Sequence, residues 1–434
     1  MATRKRKTSK AKTAFISFLA LIIGVLVGFV LGSFFQTSQL EFEIVGKNEL
    51  NIGLDSQYVE AGAKCSFDGV DKTNLVIVEY YDSTGKKINE IDTTTVGTYI
   101  VKYIYKEGNI QTSITKVVNI VEMEDLEIHF MMLGNDSAGD SVYIKAGETD
   151  VLVDAGSKAN SATSIKAYLD DYVTDGKLEY VIATHADQDH IAAFPGDEGI
   201  LNSYEIETVI DFPLTNKTTK VYQNYRNKVN ELVENGTKHY TALECYNNLN
   251  GASRIIELAV GIEIEILYNH FYENNTSDEN DYSVCFMLRR GDEQFLFTGD
   301  LEKEGEEHLV QNNELGEVYL YKAGHHGSKT SSTMALLEKI KPEVVVVTCV
   351  AFTQEYTSDL NNIFPTKQAI DNFNAVGVKH LYVPAMTSEN EAGYEAANGN
   401  IVVYSNAKGT YVECSETNED FYNFDIFKEY REWN

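Results

Sequence analysis

Five prolines, five cysteines and a marked shortage of positive charge set the first bounds on this 434-residue chain. The cysteines, Cys65, Cys245, Cys285, Cys349 and Cys414, are odd in number and contain no Cys-x-x-Cys pair. That excludes a disulfide framework and a thiolate zinc site. Cys285 and Cys349 lie in apolar, strand-like runs, where a thiol is a small inert core group. No internal repeat is present, and no low-complexity segment beyond a basic amino terminus. Basic side chains number 36 against 66 acidic ones, and six of the 36 fall in the first twelve positions. Beyond residue 12 the net charge is therefore −36. Such a surface repels polyanions at long range and speaks against tight, electrostatically steered nucleic-acid binding. It leaves room for a local positive site made by bound metal ions.

Behind the basic tail (residues 1–13), Ala14 to Phe35 form an uncharged apolar run of 22 residues. That length spans a bilayer as a helix, and the preceding cations set the amino terminus inside the cell. A secretory signal peptide also starts basic, but this core is long for one and Gly32-Ser33-Phe34-Phe35 is a poor cleavage site. The expectation is one transmembrane helix over 14–35, with everything beyond it extracellular.

Residues 40–122 read as β. In Tyr99 to Lys106, the residues Tyr99, Val101, Tyr103 and Tyr105 share one face, and Lys102 and Lys106 the other. That period of two is a half-buried strand. A turn at Gly108-Asn109 leads into a second β-rich run, Thr112 to Val121. Short strands and polar turns over about 80 residues suggest a small sandwich. Gly97-Thr98-Tyr99-Ile100-Val101-Lys102-Tyr103 resembles the closing segment of bacterial Ig-like surface domains, which implies a spacer or adhesive module.

From about residue 126 to 434 strands alternate with helical runs, the pattern of a layered α/β domain. Strands are expected over Leu126–Met132, Ser141–Ile144, 149–156, 178–183, 255–268, Asp281–Leu288, Gln294–Phe297, Glu317–Lys322 and 344–348. Helices are expected over Ser161–Tyr172, Lys220–Glu234 and Ser332–Ile340. Four strand ends carry a carboxylate or imidazole. They are Asp154; the cluster His185-Ala186-Asp187-Gln188-Asp189-His190; Asp300; and His325-His326. A core segment would not hold two unpaired carboxylates, because burying an unpaired charge costs several kcal/mol. Side chains at strand ends can converge from a rigid base, as a metal site requires.

The order and spacing of these four features resemble the metallo-β-lactamase superfamily. They are more similar still to the hydrolase domain of ComEC-type competence proteins, which share His-x-Asp-x-Asp-His and the later His-His-Gly-Ser-x-x-Ser-Ser. The resemblance covers about residues 126 to 412 and implies an αββα metallo-β-lactamase sandwich. It implies two divalent metal ions, Zn or Mn, the oxygen-rich ligands tolerating either. His185 and Asp187 would hold one ion. Asp189, His190 and one of His325/His326 would hold the other, with Asp300 bridging and Asp154 orienting a ligand from behind. Water between the ions would become the nucleophile. Asp189, His325 and His326 are the candidate catalytic residues, the non-ligand histidine contacting substrate or its leaving group. Ser328, Ser331 and Ser332 precede a helix and could hold phosphate on backbone N–H groups; an ordinary helix cap is the equal alternative.

Departures from the family pattern bear on the first ion. The third-motif histidine has no clear counterpart. Asn280 and Asp281 stand nearest its place, with His239 and His270 as rivals. Ala192-Ala193 replace the usual Gly-Gly, and Phe364-Pro365 a His-Pro. Asp187, where lactamases have His, shifts the expectation toward phosphodiester hydrolysis. The substrate would be nucleic acid, or a cell-wall polymer of the kind cleaved by phosphorylcholine esterases of this fold. The alternative is a non-catalytic surface adhesin or scaffold whose hydrolase domain is degenerate.

Overall fold

A computed structural model describes residues 40–388 and 393–431. The run 14–35, expected to span a membrane, lies outside these residues. No helix among the described residues is long and apolar enough to cross one. The chain forms two units: residues 40–50, 58–92 and 97–119, and residues 51–57, 93–96 and 120–431.

The first unit is all β. Gly97–Glu107 pairs antiparallel with Val76–Tyr81, and Ile110–Val121 lies on its other side in a five-stranded sheet. A three-stranded sheet holds Leu40–Ile44, Ala63–Phe67 and Val70–Asp71. The period-two reading of Gly97–Glu107 is visible in burial. Val101, Tyr103 and Tyr105 are fully buried, while Ile100 and Ile104 on the lysine face are not. Phe42 meets Tyr105 edge-on at 6.5 Å, joining the two sheets through an aromatic contact.

The second unit has four layers. Its eight-stranded sheet runs in the spatial order 238–241, 205–211, 177–182, 149–153, 142–146, 126–130, 401–406 and 409–414. The seven-stranded sheet runs 255–259, 262–266, 286–290, 293–297, 320–322, 344–346 and 380–382. Between them lies one core, in which Phe297 stacks on Phe286 at 4.7 Å and on Phe130 of the other sheet at 6.3 Å. Helices cover both outer faces. Ile165, Leu169, Tyr225 and Val229 join the core of the eight-stranded sheet. Leu309, Leu336, Ile340 and Phe373 pack with Met287, Leu296, Tyr321 and Val345 on the far side of the other. Strands buried on both faces explain why Val344 to Val347 is uniformly apolar rather than alternating.

Several expected elements differ: the helix from Ser161 ends at Leu169, and the strand expected from Glu317 begins at Leu320. Residues 255–268 are a hairpin, Ile255–Ala259 and Ile262–Ile266, because Gly261 turns the chain at φ +76°. Asn280–Tyr282 is a short 3₁₀ turn, and the strand starts at Phe286. The helix expected from Ser332 begins at Met334.

All five cysteines are free, and only Cys414 is not fully buried. Burial pushes the Cys245 and Cys349 thiols up to about 12, which removes the nucleophilic thiolate at neutral pH. A thiol reagent is therefore expected to label Cys414 at most in the native protein. Full reaction should need denaturant, and rapid labelling of several thiols without it would contradict this packing.

Candidate metal centre

Strands 149–153, 177–182 and 205–211 run parallel, as do 293–297, 320–322 and 344–346. Their carboxyl ends therefore lie together within each sheet, the usual place for a site in parallel α/β topology. Asp154 follows the first strand, His185 to His190 the second, and Asp300 and His325-His326 the strands of the facing sheet. Two glycines permit the closeness. A Cβ on Gly156 would overlap the Asp189 carbonyl, and one on Gly299 (φ +54°) would press on Ser283 and Thr184.

Asp189, His190, Asp300 and His326 converge so that one ligand atom from each falls within a 4.8 Å group. His190 Nε2 and His326 Nε2 both lie 3.1 Å from the same Asp300 oxygen, and His326 Nε2 is 3.4 Å from Asp189. Each ring is fixed from behind. His190 Nδ1 sits 2.8 Å from Asp154, and His326 Nδ1 donates to the Thr348 carbonyl at 2.8 Å. With the proton on Nδ1, Nε2 offers a lone pair inward. The Nε2 atoms of His185, His190 and His326 are buried and have no hydrogen-bond partner. Three orphaned imidazole nitrogens beside two carboxylates fit a divalent cation.

The electrostatics agree. Burial disfavours charge on His190 and His326, yet Asp300 with Asp154 and Asp140 holds His190 well above the usual imidazole range. Asp300 and Asp140 do the same for His326. Burial also opposes ionisation of Asp300, but His190, His326 and Lys322 hold its pKa well below the usual carboxylate range. Burial, then the charge of His190, drives His185 well below the usual range, so its ring is neutral. The cluster thus demands positive charge.

The sequence left the choice between His325 and His326 open, and the structure separates them. Both have left-handed backbones, φ +46° and +53°, which costs of order 1–3 kcal/mol each for a non-glycine residue. This turn sends His326 into the cluster. His325 Nδ1 instead lies 3.1 Å from Glu302 and 3.3 Å from Thr330, and the residue joins no metal group among the described residues. It lines a cleft of about 420 Å³ with Asp187, Asp189, Asn280, Asp300, Tyr356 and Phe364.

Other expected residues fall elsewhere. Asp281 accepts from the Glu302 N–H, and Asn280 donates to Glu302; neither joins the metal group. Ser283 instead accepts from the Asp300 N–H and steadies that turn. His239 pairs with Asp211, and His270 stacks on His308. The serine turn is not a phosphate seat. The carboxylate of Glu306 accepts from the N–H groups of Ser332 and Thr333 and from the Thr333 hydroxyl. Ser331 donates to the Leu301 carbonyl, and Ser328 shares a hydrogen bond with Thr330. The donors expected to meet phosphate are already occupied, and the serines do not cap the helix either, whose N-cap is Thr333 without a side-chain capping bond.

Two residues escaped the sequence reading. Lys322, almost fully buried, binds Asp140 and Asp300 and donates to the Gly299 carbonyl. Asp140 also touches His326 and accepts from Thr348. Asp140 precedes its strand, Val142–Ala146, instead of ending one, so it broke the pattern that exposed the others. Lys322 closes the strand before Gly324-His325-His326, and a buried cation in an apolar strand was the available signal.

Residues 134–196 match the model of the metallo-beta-lactamase superfamily. Over this stretch the chain is similar to that superfamily. Curated relatives include Competence protein ComA of Neisseria gonorrhoeae, 32% identical over 28% of this chain and 16% of its own length. ComE operon protein 3 of Bacillus subtilis is 26% identical over 39% of this chain and 20% of its own length. Recombination protein 2 of Haemophilus influenzae is 32% identical over 20% of this chain and 10% of its own. The chain thus spans one fifth or less of these relatives. Among solved structures, the metallo-beta-lactamase fold protein YhfI from Bacillus subtilis is 11% identical. It covers 59% of this chain and 96% of its own, with a TM-score of 0.34.

Proposed function

We propose that this metallo-β-lactamase-fold unit is a metal-dependent phosphodiesterase. The observation that carries the reading is the convergence of the unpartnered His190 and His326 Nε2 atoms with Asp189 and Asp300, whose residues line an open cleft. Asp189, His190, Asp300 and His326 would hold one divalent ion, Zn or Mn, and His185 with Asp187 a second. Ions held there supply Lewis acidity and a water of lowered pKa. The protein's own part is to hold ligands and substrate. Asp154 and Thr348 set the two imidazoles, and Lys322 fixes one oxygen of Asp300. His325, tethered by Glu302, faces the cleft where a leaving group would sit. Relation to competence and recombination proteins supports a nucleic-acid diester as substrate, while the −36 charge beyond residue 12 favours short or cell-wall diesters over long DNA. The run 14–35 would anchor the chain in the membrane, with an Ig-like first unit between membrane and enzyme and the site outside the cell.

Hydrolysis of bis(p-nitrophenyl) phosphate by the full chain, with Zn²⁺ or Mn²⁺ supplied, tests the reading. Parallel assays on single-stranded DNA, RNA and choline-bearing teichoic acid then rank substrates. A chain that binds neither ion and hydrolyses none of these would be the degenerate scaffold instead. The absence of a third-motif histidine favours that second reading. His325→Ala is expected to keep its metal and to lose about 10²-fold in rate. Metal loss in this variant, measured by elemental analysis, would place His325 among the ligands.

A further inference from the structure

The two halves of the centre are built unequally. The second half has Asp189, His190, Asp300 and His326 in one group. The first has His185 and Asp187, with Nε2 3.7 Å from a carboxylate oxygen. Among the described residues these two complete no group of three metal-ligating side chains. A different cation already meets Asp187: the Lys217 ammonium contacts its carboxylate.

That contact is anchored. Glu279, buried to 6% exposure, accepts from the Thr215 hydroxyl at 2.6 Å and the Asn216 N–H at 2.7 Å. The same carboxylate accepts from the Ala186 N–H at 3.3 Å, so it ties the Lys217 loop to the His185–Asp187 loop. The Lys217 N–H donates to Thr215 and the Asn216 side chain to the Thr276 carbonyl. Glu279 lies beside Asn280, near the place where the sequence pattern wanted a third histidine. In this chain the segment supports an ammonium group in place of a ligand.

Lys217 holds Oδ1 of Asp187, while Oδ2 is the oxygen 3.7 Å from His185 Nε2. An ion seated on Oδ2 would stand close to a tethered ammonium on the same carboxylate, and like charges at such range repel. We propose that Lys217 makes metal binding unequal: the Asp189–His190–Asp300–His326 half takes one ion tightly, and the His185–Asp187 half takes a second only weakly, in competition with Lys217. The proposal rests on the metal-centre reading above and goes beyond it in assigning Lys217 as a positioning residue that acts through Asp187. The unpartnered Nε2 of His185 is the group the weak ion would use.

The full chain is loaded with excess Mn²⁺, desalted, and examined by elemental analysis and electron paramagnetic resonance. The wild type should keep one ion per chain with the signal of isolated Mn²⁺. Lys217→Met should keep two, with the altered line shape of an exchange-coupled pair and a second-ion affinity raised about tenfold or more. Lys217→Gln repeats the test should the methionine variant fold poorly, and Lys217→Arg should restore the single-ion state. A wild type that keeps two ions of equal affinity overturns the proposal, as does a Lys217→Met protein that keeps one. A wild type and variant that hold no Mn²⁺ at all overturn the metal centre itself.

Discussion

Asp189→Ala is expected to lower phosphodiester hydrolysis by about 10³-fold or more, some 4 kcal/mol of transition-state stabilisation, with the fold intact. The reason lies in how Asp189 is held. Its carboxylate faces the cleft and is 23% exposed, and its contact is with His326 Nε2. Its backbone carbonyl, which accepts from the Asp140 N–H, is untouched by the substitution. Removing the side chain thus takes one ligand from the tight half without opening the core. Metal content should fall with activity, while the denaturation midpoint of the metal-free protein stays near the wild-type value. Activity within tenfold of wild type would remove Asp189 from the centre. Asp300→Ala should match the loss of rate but also destabilise, because it strips a partner from Lys322. The contrast between the two variants separates ligation from folding.

Lys322→Met carries the largest expected cost in stability. The side chain is 2% exposed and lies among Asp140 and Asp300. Burial disfavours its charge, but Asp140 and then Asp300 hold its pKa above the usual lysine range. Methionine fills similar space and removes the cation, leaving Asp140 and Asp300 buried with less compensation. Breaking a buried pair from one side costs about 3–5 kcal/mol. Removing both partners costs less, so Lys322→Met with Asp140→Asn should recover part of the loss. Supplied Zn²⁺ or Mn²⁺ should narrow the gap further, since a bound ion brings positive charge to Asp300. Denaturant titrations of the metal-free and metal-loaded proteins measure all of this. A single variant within about 1 kcal/mol of wild type, against that 3–5 kcal/mol expectation, would mean that the Lys322 contacts contribute no net stability. A double variant no better than the single would assign the loss to packing.

Most of the local pattern was legible in the chain. Alternation over Tyr99 to Lys106 gave a half-buried strand, and Lys220–Glu234 was readable as a helix to the residue. Strand boundaries drifted where an apolar run continued past the ladder, as at Asp281 to Leu288, where a 3₁₀ turn intervenes. The candidate site was legible wherever a charged residue ended a strand. It was illegible where the decisive partner lay far off in sequence. Glu306 reaches Ser332 and Thr333 from 26 and 27 residues away and occupies the donors of an apparent phosphate seat.

By itself the sequence marked the carboxylates and imidazoles at apolar strand ends as a candidate site, because such groups are too costly to bury without a counter-charge. It also determined the alternation of elements, because burial on one or two faces writes its period directly into the residues. Only the tertiary structure decided which of two adjacent histidines enters the cluster, through a left-handed turn that separates His325 from His326. Only it brought Asp140 to Lys322, 182 positions later, and set Lys217 on Asp187. Such contacts depend on the pairing of distant strands and on loops tied by single buried carboxylates. Neither leaves a period or a spacing that a linear reading can detect.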